Sequence, residues 1–462
     1  MAFPALLRPL WLPLVVLILF LTAVCFRPLL PIDETRYTSV AWEMFLRHGW
    51  LQPPTMNFEP YLQKPPLLFW LINASWAIFG VSRWAATLPL VLSSLASVYL
   101  TVALGRLLSP FFQEQGDRTA MIMMAGVPFL IYGTLIYFDF ILTVFVLLSL
   151  IGTVLYARER RFSHLLLIGV SLGLGTLARG PVVYLHVMFP ILLAPFWATE
   201  LRQPGRWYLG ILAALGVAAV IVLCWLVPVL MQADGSFAYG LLWEQTVGRV
   251  TGKLDAHIEP FYFYLPFLPA MIIPWVFLPR FWKGVAALRG SWSEVEGIRF
   301  LIAWGVPTFL CFCLISEKQP HYLMPLVPCA VLLTTICLKE VPTRQLVRNL
   351  AVMVGAIVIG QAIASATILK RYDLEPVAAY VRAHRDRDWA FVSNYHAELG
   401  FLARLEKPVD DVPPTRLARW FTEHPDGRAI IAYRNAKDVA GYDPIMDNPY
   451  RGKRIGVFSA RQ

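Results

Sequence analysis

The chain has 462 residues, of which 57% are hydrophobic and only 15% are charged. Soluble domains carry about 25% charged residues, so this composition excludes a soluble globular protein and indicates an integral membrane protein. We assign the formal net charge of +10 to Lys and Arg in cytoplasmic loops rather than to nucleic-acid binding, because such residues crowd the cytoplasmic side of membrane proteins. The six cysteines lie in apolar segments without metal or redox spacing, so we expect them to be small core residues.

Apolar stretches of roughly 17–25 residues can cross a bilayer as helices, and the chain has about eleven of them. The first follows Arg8 without a convincing cleavage site, so we expect a membrane anchor rather than a signal peptide. The sequence therefore predicts an all-α polytopic membrane protein with spans near 10–30, 84–105, 119–136, 139–157, 163–179, 180–198, 207–231, 262–280, 299–315, 320–338 and 349–369.

The segment 67–79 is apolar but short, and it follows Pro65-Pro66. If it lies along the membrane surface, the basic loops near Arg118, Arg158 and Arg206 share one side, which the positive-inside rule places in the cytoplasm. We therefore predict interfacial helices at roughly 35–48 and 67–79. The outer face then holds Asp33, Glu34, Lys64, Asp139, Arg179, the loop 232–261, Lys318 and the tail after Lys370.

The polar tail alternates helix-like runs with short strand-like runs at Trp389–Val392, Ala429–Tyr433 and Arg454–Phe458. This pattern predicts a small α/β domain. We therefore expect a transmembrane catalytic domain over 1–370 and a periplasmic soluble domain over 371–462. No internal repeat of 20–50 residues is evident, which argues against an inverted-repeat transporter.

Charge is concentrated at two places beside the predicted outer membrane surface. Asp33-Glu34-Thr35-Arg36-Tyr37 follows the first span, and Tyr61-Leu62-Gln63-Lys64-Pro65-Pro66 lies one loop later. Ionisable groups beside a bilayer are costly, so this cluster indicates a site of chemistry or transport. Structural roles stay open for two acids, because Asp33 could cap the following helix and Asp139 could stabilise the N-terminus of a span.

Further motifs follow in order along the membrane part. They are Gly49-Trp50, Trp70, Asp139 at the start of a span, Arg179-Gly180-Pro181, His257-x-x-Pro260-Phe261-x-x-Tyr264, Pro274-Trp275 and Lys318-x-Pro320-His321-Tyr322-x-x-Pro325. Together with the charged cluster, they make the chain resemble the lipid-dependent GT-C glycosyltransferases, in the branch of bacterial aminoarabinose transferases and protein O-mannosyltransferases. The resemblance implies a sugar donor on polyprenyl phosphate, used on the outer leaflet with inversion.

The resemblance also implies roles for individual residues. When the sugar leaves, the lipid phosphate gains negative charge, so nearby cations stabilise the transition state. Asp33 is expected to take the proton of a hydroxyl acceptor, or to orient a phosphate acceptor. The predicted catalytic carboxylates are Asp33, Glu34 and Asp139, the predicted phosphate-binding cations are Arg36, Lys64, Arg179, Arg249 and Lys318, and the predicted groove residues are Tyr37, Tyr61, His257, Tyr264 and Tyr322.

Some relatives have an acid immediately before the Lys of the Lys-Pro-Pro motif, where it can hold a metal with a loop histidine. This chain has Gln63 there, and one histidine with an amide does not make a divalent-metal site. We therefore assign no cofactor. A divalent metal stays open as an alternative, with His257 as its one candidate ligand, and a loop hydrogen bond is the other role open to His257. The groove aromatics could equally form an interfacial belt.

We expect a protein of the bacterial inner membrane, with its active site facing the periplasm, that moves aminoarabinose from polyprenyl phosphate to lipid A phosphate. Its partners would be the lipid-linked sugar, lipid A or another envelope acceptor, and membrane lipids, with no nucleic acid. Transfer of mannose or another sugar to protein or envelope glycan is the alternative. A transporter or flippase of a lipid-linked substrate is the alternative from another class, but it should carry its charges near the bilayer midplane.

Overall fold

A computed structural model describes residues 10–199, 201, 203–232, 240, 258–291 and 296–461. Helices dominate these residues, and a small mixed sheet lies near the C-terminal end. In chain order the helices are α1 (Trp11–Phe26), α2 (Asp33–Arg47), α3 (Leu67–Phe79), α4 (Arg83–Leu108), α5 (Gly116–Met124), α6 (Val127–Tyr132), α7 (Asp139–Glu159), α8 (Phe162–Arg179), α9 (Val182–Leu192), α10 (Ala194–Trp197), α11 (Pro204–Gln232), α12 (Phe267–Ala270), α13 (Pro279–Ser291), α14 (Glu296–Leu314), α15 (Val327–Cys337), α16 (Thr343–Ala366), α17 (Glu375–Ala383) and α18 (Leu417–Glu423).

Within the described residues, seven helical segments are long and apolar enough to cross a membrane. Three further apolar helices, α1, α3 and α9, are shorter. The predicted fold class, a helical polytopic membrane protein with a small C-terminal α/β part, is confirmed. The seven segments are Arg83–Leu108, Asp139–Glu159, Phe162–Arg179, Pro204–Gln232, Gly297–Leu314, Pro320–Cys337 and Thr343–Ala366.

Three of the predicted spans are divided into shorter helices in the structure. The region 262–280 contains short helical turns and α12 before α13 begins, rather than one helix. The region 119–136 is divided between α5 and α6, and the region 180–198 between α9 and α10. Proline lacks the N–H that a helix interior needs, so prolines interrupt these regions. The prolines within them that lie at or near the interruptions are Pro128, Pro195, Pro266, Pro269, Pro274 and Pro279.

The chain folds into two compact units, of which the larger comprises the residues up to Phe20, Leu62–Leu68 and Pro89–Ile357. Its core is one apolar cluster to which most of its helices contribute. Helices α8 and α11 approach closely at Gly173, where an added Cβ would lie 2.8 Å from the Cβ of Ile221. Small residues allow such close contact between membrane helices.

The smaller unit comprises Leu21–Tyr61, Phe69–Leu88 and the chain from Val358 onward. It contains a two-stranded hairpin and a five-stranded sheet with the order β4-β3-β5-β7-β6. Strand β3 pairs parallel with β4 and β5, whereas β7 pairs antiparallel with β5 and β6. The strands are β1 (Thr55–Met56), β2 (Glu59–Pro60), β3 (Trp389–Val392), β4 (Asp410–Val412), β5 (Arg428–Tyr433), β6 (Tyr442–Tyr450) and β7 (Lys453–Ala460).

Inside the smaller unit, the chain between β3 and β4 lies against α2 and α3. The Trp42 indole donates a hydrogen bond to the carbonyl of Leu405 at 2.8 Å. The backbone N–H of Phe401 donates to the Ser39 hydroxyl at 2.9 Å, and the Phe401 ring stacks on Trp76 at 5.0 Å. Helix α2, which carries the first charged motif, is thus held by the sheet-containing part of the chain. A domain boundary at residue 370 stays a prediction.

Candidate active site

The first charged motif forms the start of α2 and contains two acids in different environments. Asp33 pairs with Arg36 at 2.5 Å, and its side chain is 35% exposed. Glu34 is fully buried, forms an ion pair with Arg27, and accepts the N–H of Leu30 at 2.9 Å. Asp33 is therefore the acid that a substrate can reach, whereas the observed contacts of Glu34 brace the turn between α1 and α2.

The Arg36 guanidinium is half-buried next to two of the predicted groove tyrosines. It lies 5.4 Å from the centroid of the Tyr37 ring. Burial alone would lower the pKa of this guanidinium, but the neighbouring Tyr61, Tyr37 and Asp33 side chains together hold it above its usual value. Among the described residues, the buried Nε of Arg36 has no hydrogen-bond partner. Arg36 is thus a permanent cation with a donor available, as binding a phosphate requires.

A second carboxylate near Arg36 was not identified from the sequence. Glu398 follows β3, is 5% exposed, and accepts the N–H of His396 at 2.9 Å. Burial raises the pKa of Glu398, although backbone hydrogen bonds and the nearby His396 and Arg36 side chains oppose this shift. Nothing in the local sequence distinguishes this acid from those on a solvated surface, because its partner lies more than 350 residues away along the chain.

In the larger unit the structure joins two predicted site residues directly. Asp139, the first residue of α7, forms an ion pair with Arg179, the last residue of α8, and both side chains are almost completely buried. The Arg179 guanidinium lies 4.8 Å from the centroid of the Tyr322 ring. The Tyr322 hydroxyl donates in turn to Glu317 at 3.0 Å. Three residues predicted for three different roles are therefore neighbours.

Lys64 belongs to the same unit and lies near the start of α7. Its half-buried ammonium is 5.6 Å from the centroid of the Phe138 ring, and Phe138 directly precedes Asp139. The adjacent Tyr137 ring lies 5.3 Å from the His321 ring. The Lys-Pro-Pro motif and the span that begins at Asp139 thus meet in the structure, as their shared position on the predicted outer face requires.

Lys318 and Tyr264 are buried at a junction between two loops. The Lys318 ammonium donates to the carbonyl of Glu259 at 2.7 Å, and burial lowers its pKa. The Tyr264 hydroxyl lies 3.1 Å from both the backbone nitrogen and the carbonyl oxygen of Gln319. The observed contacts of both residues hold the loops together, and their roles toward a substrate stay predictions.

Two predicted site residues, Arg249 and His257, lie outside the described residues. In the part of the chain that is described, no group of three or more His, Cys, Asp and Glu side chains could hold a metal ion. Gln63, which replaces the acid of some relatives, is exposed. The described chain therefore offers carboxylates and cations, which suit transfer to or from a phosphate, and no donor set for a divalent metal.

A family model described as dolichyl-phosphate-mannose-protein mannosyltransferase matches residues 63–225. The undecaprenyl phosphate-alpha-4-amino-4-deoxy-L-arabinose arabinosyl transferase of Enterobacter sp. (strain 638) is 28% identical over 341 residues, which make up 71% of this chain and 58% of that protein. The transferase of the same name from Pseudomonas aeruginosa (strain LESB58) is 31% identical over 314 residues, 65% of this chain and 54% of that protein. The chain thus spans little more than half the length of these relatives.

A solved structure, that of ArnT from Cupriavidus metallidurans bound to undecaprenyl phosphate, matches with a TM-score of 0.78 and 16% identity. The match covers 99% of this chain and 100% of that chain, and at this identity it shows a shared fold. These findings confirm the resemblance, predicted from the motifs, to GT-C glycosyltransferases of the aminoarabinose transferase type. With the seven apolar helices of the described residues, they identify a multi-pass membrane protein.

Proposed function

We propose that this chain, which resembles the GT-C glycosyltransferases, moves a sugar from a polyprenyl-phosphate donor to an acceptor outside the cytoplasm. The similarity to two undecaprenyl phosphate aminoarabinosyl transferases, over 71% and 65% of the chain, carries this proposal. The proposed location is the bacterial inner membrane, with a periplasmic active site and residues 371–462 as a periplasmic domain. The basic loops predicted to face the cytoplasm support this orientation.

The transfer exchanges one bond at the anomeric carbon of the sugar for another. An acceptor oxygen donates an electron pair to C1, while the bond from C1 to the lipid-phosphate oxygen breaks and leaves its pair on that oxygen. The leaving polyprenyl phosphate gains one negative charge, and a phosphate acceptor loses one. The proposed attack comes from the face opposite the leaving group, so the configuration at C1 inverts.

The charged residues predicted from the sequence have the chemistry that this reaction needs. In the smaller unit Arg36 is a permanent cation that can stabilise the phosphate charge, and the accessible Asp33 can contact the acceptor. In the larger unit Lys64 and Arg179 are the proposed phosphate-binding cations. A phosphate acceptor is already ionised, so Asp33 would orient it, whereas for a hydroxyl acceptor Asp33 would remove a proton, worth about 10²–10⁴ in rate.

We propose aminoarabinose as the sugar and a lipid A phosphate as the acceptor, because the similar relatives are named for undecaprenyl phosphate-linked aminoarabinose. A second candidate is transfer of mannose or a related sugar to protein or envelope glycan. The family model that matches residues 63–225 supports this second candidate, since it is described as a mannosyltransferase that acts on protein.

Mass spectrometry of lipid A, envelope glycans and glycoproteins tests the proposal. The strains are a deletion strain and the same strain complemented with the intact gene, Asp33→Asn, or Glu375→Gln as a control at an exposed acid of the same unit. At matched membrane levels, one sugar mass should disappear from lipid A in the deletion and Asp33→Asn strains and return with the other two.

The remaining outcomes separate the candidates. Loss of a hexose from protein or glycan, with lipid A unchanged, would favour the second candidate. Complete restoration by Asp33→Asn would refute the role of this carboxylate while leaving the enzyme assignment standing. An unchanged set of glycans in the deletion strain would refute the transferase and favour a transporter.

A further inference from the structure

Glu43 is a buried acid in the middle of α2 to which the reaction described above gives no role. Its side chain is 1% exposed, and all three of its observed hydrogen bonds come from the hairpin of β1 and β2. The Thr55 hydroxyl donates to Oε2 at 2.6 Å, the N–H of Asn57 to Oε1 at 2.7 Å, and the N–H of Phe58 to Oε2 at 2.8 Å. An ionised carboxylate, which only accepts, satisfies this arrangement.

The two backbone donors belong to a strained turn. Met56 pairs with Glu59 across the hairpin, so Asn57 and Phe58 form a two-residue loop. Both have positive φ angles, 56° and 62°, as a type I′ turn requires. Asn tolerates this conformation, whereas a bulky residue such as Phe rarely adopts it. The Glu43 carboxylate therefore holds a turn that the side chain of Phe58 opposes.

The hairpin connects three parts of the smaller unit. The Asn57 amide exchanges two hydrogen bonds with the backbone of Val409, both at 2.8 Å, which ties the hairpin to the chain before β4. The strand beyond the turn leads to Tyr61, whose N–H donates to the carbonyl of Pro54 at 2.8 Å. Tyr61 is close enough to Arg36 to act on its charge, and the hairpin fixes where the backbone of Tyr61 lies.

We propose that Glu43 is a positioning residue, which holds the Asn57-Phe58 turn and thereby sets Tyr61 beside Arg36. Glu43 itself contacts no reacting group. The catalytic consequence of this inference rests on the proposed function, because Arg36 is one of the cations proposed to stabilise the phosphate charge. The structural consequence, a turn held by one carboxylate, does not depend on the reaction.

The test replaces the carboxylate and then removes the strain. In Glu43→Gln one oxygen becomes an NH2 group, which cannot accept the bonds it replaces. We expect kcat/KM for undecaprenyl phosphate-linked aminoarabinose to fall about tenfold to a hundredfold, as misplacement near a reacting group does. Adding Phe58→Gly, which adopts positive φ without strain, should restore most of the activity. Thr55→Val, which loses one bond, should show a smaller loss.

Hydrogen exchange of the backbone amides, measured without substrate, reports the turn directly. Exchange at Asn57 and Phe58 should accelerate in Glu43→Gln. The control is Leu417→Ala. Leu417 packs with Trp420 and Phe421 in one apolar cluster of the smaller unit, whereas Met56 of the hairpin packs against a different cluster. The cavity that this substitution opens should lower the melting temperature and leave kcat/KM unchanged.

Three results would overturn the inference. The first is an unchanged exchange rate at Asn57 and Phe58 in Glu43→Gln, and the second is a failure of Phe58→Gly to restore activity. The third is a loss of kcat/KM in Leu417→Ala as large as that in Glu43→Gln, when the two variants have the same melting temperature. If the unaltered protein transfers no sugar from this donor, the proposed function fails, and hydrogen exchange still decides whether Glu43 holds the turn.

Discussion

Removing one partner of the Asp139–Arg179 ion pair should destabilise the protein more than removing both. The two side chains are only 1% and 9% exposed, so each has lost most of its hydration and depends on the other. Breaking a buried pair costs about 3–5 kcal/mol, because it leaves one uncompensated charge. Replacing both partners by apolar residues of similar volume is often neutral or stabilising.

The magnitudes for the two positions should differ. Arg179 also lies over the Tyr322 ring at 4.8 Å, and such a cation–π contact is worth roughly 0.5–2 kcal/mol. We therefore expect Asp139→Leu and Arg179→Met each to lower the free energy of unfolding by about 3–5 kcal/mol, with the larger loss for Arg179→Met. The double variant should recover most of this stability.

Denaturant unfolding in detergent micelles, followed by tryptophan fluorescence, measures all four corners of this double-mutant cycle. Losses in both single variants below about 1 kcal/mol, the value typical of exposed pairs, would refute the reasoning from burial. A double variant destabilised by the sum of the single losses would refute the coupling. The transferase assay adds a second reading, because a double variant that is stable but inactive shows that these residues also act on the substrate.

Three further predictions concern other parts of the structure. Burial raises the pKa of the Glu398 carboxyl in the folded protein above its value in the unfolded chain. Between these two pKa values the folded protein binds a proton that the unfolded chain releases, so the free energy of unfolding should rise as the pH falls through this interval. Glu398→Gln should flatten that dependence in unfolding curves measured from pH 4 to 8, and an unchanged slope would contradict it. Tyr322→Phe removes the hydroxyl that donates to the Glu317 carboxylate but keeps the ring beneath Arg179. It should lower the free energy of unfolding by about 1.5–3 kcal/mol, the range for hydrogen bonds to charged groups, and a loss well above about 3 kcal/mol in denaturant unfolding would be too large for one such bond. Gly173→Val should force α8 and α11 apart and lower the melting temperature by several degrees, whereas an unchanged melting temperature would show that the two helices tolerate the added side chain.

Much of the architecture could be predicted because it depends on local sequence. The lengths of the apolar runs predicted the long spans, and α3 begins and ends at the predicted residues 67–79. Three of the five strands of the sheet were also predicted, whereas β4 and β6 were not. Strand β4 is only three residues long, and β6 contains prolines, so neither shows the alternation by which a strand is recognised.

The predicted site residues fall into two groups in the structure. Asp33, Arg36 and Tyr61 cluster in the smaller unit, and Asp139, Arg179 and Tyr322 cluster in the larger unit. The sequence motifs identified these residues because charge is rare in a chain of this composition. Their roles toward a substrate stay predictions.

The sequence by itself determined the membrane class, the positions of most helices and the likeness to GT-C glycosyltransferases, because apolar length and local motifs are properties of short segments. Only the tertiary structure decided which polar groups that are distant along the chain are partners. Asp139 meets Arg179 across forty residues, Glu43 meets a hairpin that begins twelve residues later, and the hairpin meets Val409 across 352 residues. Such pairings depend on how helices and strands pack in three dimensions, and the order of residues along the chain carries no local signal of them.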